Sequence, residues 1–409
     1  MARKVLITGM GCLSPLGNDT DSFWHAVVSG RCAIRPLEHP EGRFIKGVKT
    51  FAPLVPYDPA QHFEPRRLMW LDPFAQIAIL AARQACAQAG LSQAPVKGHR
   101  VGVVIGSTVG GKTTEDQGNR LFWTAMAEDR AIGVDPMGLP RAMMSSPVST
   151  VGMEFGFTGP TFCVSSACAS SNHAIGVAFW LVRAGVIDVA VTGGADICSP
   201  LTFLKGWEAL RVLSPDLCRP FCAERRGLVL GEGAGILVLE AAESARARGA
   251  RGLAEVRGFG MTADAGDITR PSVEGTSGAI LAALEDGGLA PEDIDYVNAH
   301  GSGTRSNDEV ETQALHKVFG PHAGALSVSS TKSMIGHAMG AAGALELIAT
   351  VMAVQNDVVP PTANFGTPTP ECDLDYTPHH ARPRPLRAAL SDNFAFGGLN
   401  AVLAVSRCE

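Results

Sequence analysis

The chain has 409 residues, 46% of them hydrophobic, with 46 glycines and 26 prolines spread along it instead of forming a repeat; this supports a sizeable core and excludes a disordered or fibrous protein. The formal charge is -6 and no long run of Lys or Arg occurs, which argues against a nucleic-acid partner. No apolar run reaches the ~18 to 20 residues that span a bilayer, and "MARKVLITG" has too short an apolar stretch for a signal peptide, so a cytoplasmic protein without a membrane partner is expected.

In chain order, "KVLITGMG" reads as a strand ending in glycines, "FAQIAILAARQACAQAGL" as a helix by its apolar spacing, and "RVGVVIGSTVGGKTTED" as a strand, a Gly turn and a polar helix start. "GMGCLSPLG" lacks G-x-G-x-x-G and is followed by a Pro-containing turn, which argues against a nicotinamide fingerprint. Next, "FCVSSACASSNHAIGVAFWLV" reads as strand, Val-Ser-Ser, short turn and helix, and "GLVLGEGAGILVLE" as strand, Gly turn and returning strand. After the polar helix end "ESARARGARG", three matching units recur in the same order: "DIDYVNAHGSGTRSNDE", "LSVSSTKSMIGHAMGAAGALELI" and "LSDNFAFGGLNAVLAVSR". The recurrence predicts an internal duplication with halves 1–250 and 251–409 packed as one α/β body, with parallel strands, crossover helices and converging equivalent turns.

The ten cysteines include no CxxC pair, and the Cys218/Cys222 spacing lacks the second half of a zinc site. Most read as reduced, buried small residues, Cys163 within its strand among them. Cys168 differs, because it precedes an uninterrupted run of small and apolar residues. It is expected at a helix N-terminus, where unpaired N–H groups and the macrodipole favour the thiolate. His300 opens the turn "HGSGT" at the end of an apolar run, and His337 in "GHAMGAAG" starts the helix that the duplication pairs with the Cys168 helix. Neutral imidazoles at such turns donate hydrogen bonds to a carbonyl oxygen gaining charge, or exchange protons near pH 7.

These motifs resemble those of the β-ketoacyl-acyl-carrier-protein synthases of the elongating Cys-His-His, synthase II-like type, within the thiolase-like superfamily. "SSACASS" resembles the nucleophile motif, "NAHGSGT" the first histidine motif, "STKSMIGHAMGAAGALE" the lysine and second histidine motif, and "FAFGGLN" the C-terminal glycine turn; "ITGMGCLSPLG" is similar to the opening strand. The resemblance implies a five-layered αβαβα fold of two duplicated halves. It makes Cys168 the acyl-accepting nucleophile, His300 and His337 the groups that stabilise an enolate formed by decarboxylation of a malonyl extender, and Lys332 and Glu346 their support. The backbone N–H groups of Cys168 and Phe396 would form an oxyanion hole, with the Phe396 ring gating the acyl tunnel; Thr304, Phe394, Gly397 and Gly398 belong to the substrate-binding turns. The implied partner is an acyl carrier protein, acyl- and malonyl-loaded, and the assembly a homodimer or a heterodimer with a related ketosynthase subunit; no metal or organic cofactor is implied.

Several positions depart from the family pattern. Ala169 replaces a commonly seen serine, Ser302 a threonine, Ala395 a glycine and Leu399 a threonine. Val109 falls where the family sets the depth of the acyl tunnel, and Lys112 follows where an apolar residue is common. Either Lys112 points to solvent or the acyl group is polar, aromatic or unsaturated. Trp207 aligns with an aromatic lining residue, with ordinary core packing as the other reading. Arg66, Arg67, Lys205 and Arg211 are candidates for docking the acidic carrier protein. A thiolase would use a second cysteine as base, and a priming synthase would have Asn for one histidine. A chain-length-controlling partner subunit would lack the nucleophile that Cys168 supplies.

Overall fold

The first strand, β1 (Val5–Leu13), runs straight through the glycines expected to end it. Helix α1 (Pro73–Gln88) lies so close above them that a Cβ on Gly9 would overlap the carbonyl oxygen of Ala85, and one on Gly11 that of Ala81. These glycines are therefore close-approach residues, not turn residues. The computed structural model describes residues 3–91 and 96–408.

Among the described residues a 10-stranded sheet organises the chain. Its first half continues with β2 (Val101–Gly106), β3 (Thr161–Val164), β4 (Val189–Asp196) and β5 (Gly233–Ala241). The second half supplies β6 (Ala254–Ala263), β7 (Ile294–Asn298), β8 (Ser327–Ser329), β9 (Ala388–Ala395) and β10 (Leu399–Ser406). From the seam outward the orders are β1-β5-β4-β2-β3 and β6-β10-β9-β7-β8. The pairing directions match too: β2 is parallel to β3 and β4, as β7 is to β8 and β9, and the inner pairs are antiparallel. The seam itself is short, joining Val5 to Val256, Leu6 to Glu255 and Ile7 to Ala254. The expected strand-turn-strand at "GLVLGEGAGILVLE" is absent. Its first arm forms only isolated bridges, Leu228 to Leu213 and Leu230 to His337, and the partner of β5 that answers the β9/β10 hairpin is β4.

Two helices lie between the sheet halves. α4 (Ser170–Arg183) and α8 (Ala342–Asn356) touch strands of both, whereas α1 and α3 (Ser146–Phe155) cover the first half from outside, and α6 (Val273–Gly287) and α7 (Arg305–Phe319) pack together, α6 against the strands of the second half. The five layers expected from the resemblance are thus present. α8 is buried almost all round, with Glu346 its only charged side chain, as a helix without a solvent face requires. Helices α2 (Lys112–Ala127) and α5 (Leu201–Leu210) lie on the first half. No helix among the described residues is long and apolar enough to cross a membrane. The carboxyl ends of the parallel strands β2, β3, β4, β7, β8 and β9 carry the turns described next, the usual location of ligand sites in such sheets.

Candidate active site

β3 ends at Val164, and the chain reaches α4 through a turn in which Ala167 has φ +50°. Such a conformation costs a non-glycine residue ~1–3 kcal/mol and persists only where its surroundings enforce it. Here the Ala167 carbonyl accepts from Thr108 Oγ1 at 3.1 Å and Ser170 Oγ at 2.6 Å. The turn buries the Cys168 thiol two residues before α4 begins. Burial pushes the thiol up to about 12, outweighing the nearby Lys332 charge that favours ionisation, and Asp196 pushes the same way. The helix terminus expected to favour a thiolate is therefore overruled by desolvation. Cys163 lies in β3, half-buried against the outer core, and stays a packing residue.

The two histidines come from the second half. His300 follows β7 by two residues, its turn held by Glu311 on α7, whose carboxylate accepts from His300 N at 2.7 Å and Gly301 N at 2.8 Å. Gly301 has φ +36°, and a Cβ there would sit 2.5 Å from Ser330 Cβ, so glycine is required by both backbone and space. His337 lies between the one-turn helix Lys332–Ile335 and α8. Its Nδ1 accepts from Met339 N at 3.2 Å, which assigns the ring proton to Nε2. That Nε2 is buried without a protein partner, as is His300 Nδ1. The rings meet edge to face, centroids 5.3 Å apart. Burial first, then the Lys332 charge, holds both histidines well below the usual imidazole range, so both are neutral at pH 7.

Lys332 and Glu346 form a fully buried ion pair, Nζ to Oε1 2.5 Å; the contact is close but lacks hydrogen-bond alignment. Glu346 Oε2 accepts from Asn393 Nδ2 at 2.9 Å. No direct hydrogen bond joins the pair to the histidines; the Lys332 charge acts on them through its field. Cys168, His300 and His337 line one cleft with Trp207, Phe394 and Phe396. Phe396 is half-buried and stacks on Trp207 at 5.9 Å and 21°, so Trp207 belongs to the cleft wall as well as the core. Thr304 and Gly398 also line the cleft. Two expected substrate residues do not: Val109 packs half-buried against the main core, and Gly397 is exposed, its N–H donating to Ile268 O at 2.7 Å. Lys112 opens α2 and pairs with Glu115 at 2.8 Å, outside the cleft. Arg66 and Arg211 are exposed, Arg67 pairs with Glu154, and Lys205 pairs with Glu208 at 2.6 Å.

Sequence reasoning missed Glu311, Asp196 and Asp392. Glu311 is pushed up to about 7 by burial against its donors. Asp392 on β9 is fully buried with neither carboxyl oxygen partnered; burial, then the Glu311 and Glu346 charges, pushes it far above the carboxylate range, making it a neutral acid. The available signal was a lone charged residue in a strand predicted to be buried, "VAVTGGAD" for Asp196 and "AALSDNFA" for Asp392.

Two family models divide the chain between them, "Beta-ketoacyl synthase, N-terminal domain" over residues 2–245 and "Beta-ketoacyl synthase, C-terminal domain" over residues 253–366. The chain belongs to the β-ketoacyl synthase family. Nodulation protein E of a Rhizobium species is 48% identical to this β-ketoacyl synthase over 404 residues, covering 99% of each chain. A 3-oxoacyl-[acyl-carrier-protein] synthase 2 of Synechocystis is 38% identical over 422 residues, covering 100% of this chain and 99% of the relative. Among solved structures, "The ishigamide ketosynthase/chain length factor" superposes with TM-score 0.93 at 34% identity over 100% of both chains. The resemblance read from the motifs is thereby borne out.

Proposed function

We propose that this β-ketoacyl synthase joins an acyl group held on Cys168 to a malonyl unit on an acyl carrier protein, releasing carbon dioxide and a 3-oxoacyl thioester, in fatty-acid or polyketide chain elongation. The observation that carries the reading is a buried thiol sharing one cleft with two neutral, edge-to-face imidazoles. In the first half-reaction the Cys168 sulfur replaces the carrier thiol on the acyl carbonyl, and its proton passes through a neutral imidazole to the departing carrier sulfur. A thiol pushed up to about 12 needs such an acceptor in the same cleft.

In the second half-reaction the malonyl carboxylate leaves as carbon dioxide, and its bonding pair becomes an enolate whose oxygen is held by His300 and His337. Fixed donors at a developing oxyanion contribute ~3–4 kcal/mol each. The enolate carbon attacks the Cys168 thioester, the tetrahedral oxyanion lies against the N–H groups of Cys168 and Phe396, and the sulfur leaves and takes up a proton from solvent. Burial and the Lys332 charge keep both imidazoles neutral, and Glu346 pairs with Lys332; Trp207, Thr304, Phe394 and Gly398 line the substrate cleft, and Phe396 gates it. No metal or organic cofactor takes part.

We read the chain as two halves, 1–250 and 251–409, a division supported by the matched strand orders. A dimer, with itself or a related subunit, is supported by β3, an edge strand with Phe162 exposed, and by the solved ketosynthase/chain length factor structure. The exposed Arg66 and Arg211, with Arg67 and Lys205, are read as contacts for the acidic carrier.

Incubation with acyl-carrier substrates, followed by intact-mass and peptide mass spectrometry, tests the reading. The acyl adduct is expected on Cys168 and absent from Cys168→Ala, while the single variants His300→Ala and His337→Ala, each keeping one imidazole to take the thiol proton, retain acylation and lose condensation. Acylation elsewhere, or condensation by Cys168→Ala, refutes it.

A further inference from the structure

Asp196, the last residue of β4, is fully buried and joins chain segments from both halves. Its Oδ1 accepts from Ser107 Oγ at 2.6 Å, and its Oδ2 from Thr108 N at 2.9 Å. Both donors lie in the turn after β2. Oδ2 also accepts from Gly340 N at 2.7 Å, in the turn that leads from His337 into α8. Thr108 extends the connection, since its hydroxyl donates to the carbonyl of Ala167, the left-handed residue just before the nucleophile. The junction has no slack: a Cβ on Gly340 would lie 2.6 Å from Asp196 Oδ2 and 2.7 Å from Thr108 N. A path of hydrogen bonds therefore runs from the Cys168 turn through Thr108 and Asp196 to the His337 turn.

We propose that Asp196 is a positioning residue for the condensation: its carboxylate sets the spacing between the nucleophile of the first half and His337 of the second. The inference rests on the ketosynthase reading above. A carboxylate suits the task because it accepts on both oxygens, whereas an amide of the same shape turns one acceptor into a donor facing a backbone N–H. The charge has a second effect. The Asp196 charge opposes ionisation of the Cys168, Cys198 and Cys163 thiols; at Cys168, Glu346 acts in the same sense and Lys332 against it. Removing the charge therefore eases Cys168 ionisation while loosening its alignment with His337.

Asp196→Asn is the test, read by two measurements on the full-length protein. The condensation kcat is expected to fall about 10- to 100-fold, the range for stranding a buried backbone donor, with KM for the carrier substrates little changed. The rate of Cys168 alkylation by iodoacetamide, followed against pH, is expected to keep its sigmoid shape with a midpoint at lower pH, so alkylation at pH 7 becomes faster while condensation becomes slower. Hydration of a loosened site would also lower the midpoint, because burial is the main cause of the raised thiol, so the charge effect is read as the shift in Asp196→Asn beyond any shift in Ser107→Ala. Ser107→Ala keeps the charge and removes one donor; it is expected to lower kcat about 10-fold with a smaller downward shift of the midpoint, and it provides the test if Asp196→Asn does not fold. Wild-type kcat in either variant, or a midpoint in Asp196→Asn no lower than in Ser107→Ala, overturns the proposal. A wild-type protein that fails to condense refutes the ketosynthase reading instead, and the alkylation profile still measures the charge effect of Asp196.

Discussion

Replacing Lys332 by Met leaves Glu346 as an unpaired buried carboxylate, because both side chains are fully inaccessible and 2.5 Å apart. Removing one partner of a buried ion pair costs ~3–5 kcal/mol, most of it the penalty for stranding the other charge. Unfolding a chain of 409 residues carries an entropy of roughly 0.9 kcal/mol/K on the usual per-residue scale, so the loss is expected as a Tm drop of about 3 to 6 °C. The double variant Lys332→Met with Glu346→Gln removes both charges and keeps an acceptor for Asn393 Nδ2, now 2.9 Å from Glu346 Oε2. Most of the Tm is expected to return. Condensation is expected to return only in part, because the Lys332 charge adds to burial in holding His300 and His337 neutral; without it both take up protons at higher pH, and activity falls off earlier on the acid side. Calorimetry at pH 7.5 with parallel condensation assays checks this. A single variant that melts like wild type, or a double variant less stable than the single, would refute the argument from a stranded charge.

Asp392 is neutral in the fold because burial and the Glu311 and Glu346 charges push its carboxyl far above the ordinary carboxylate range. The folded state then holds a proton that the unfolded state releases, so stability falls as pH rises from about 4, by up to ~1.4 kcal/mol per pH unit. Asp392→Asn removes that penalty and is expected to match wild type near pH 4 and to exceed it increasingly toward pH 8 in urea titrations; a constant difference across that range would contradict it. Phe396→Ala removes the ring stacked 5.9 Å from Trp207. Faster Cys168 alkylation and reduced acyl transfer from carrier-bound substrate are expected, and an unchanged alkylation rate would dismiss the ring as a gate.

What could be read without the fold was what is encoded locally. The strands, the Gly turns, the Cys168 helix and the order of the histidine and lysine motifs are short-range patterns of burial and backbone freedom, and they carried both the family resemblance and the layered architecture. The expected end of one strand and the expected first arm of another pair failed for one reason, that glycine marks a turn and a close approach alike. In β1 the glycines sit under α1, and in "GLVLGEGAGILVLE" the first arm bridges to loops instead of joining the sheet.

The sequence by itself determined which groups are available: one thiol ahead of a helix, two imidazoles on Gly-rich turns, a lysine and a glutamate nearby in the chain, and a phenylalanine in a glycine loop. Only the tertiary structure decided which of them are charged and which meet. Ionisation depends on water lost and on neighbours supplied by the other half of the chain, neither of which has a local signature. Burial thus overrules the helix terminus at Cys168, Lys332 and burial keep the histidines neutral, and Asp196, a lone acid closing an apolar strand, bonds to the turns of both halves.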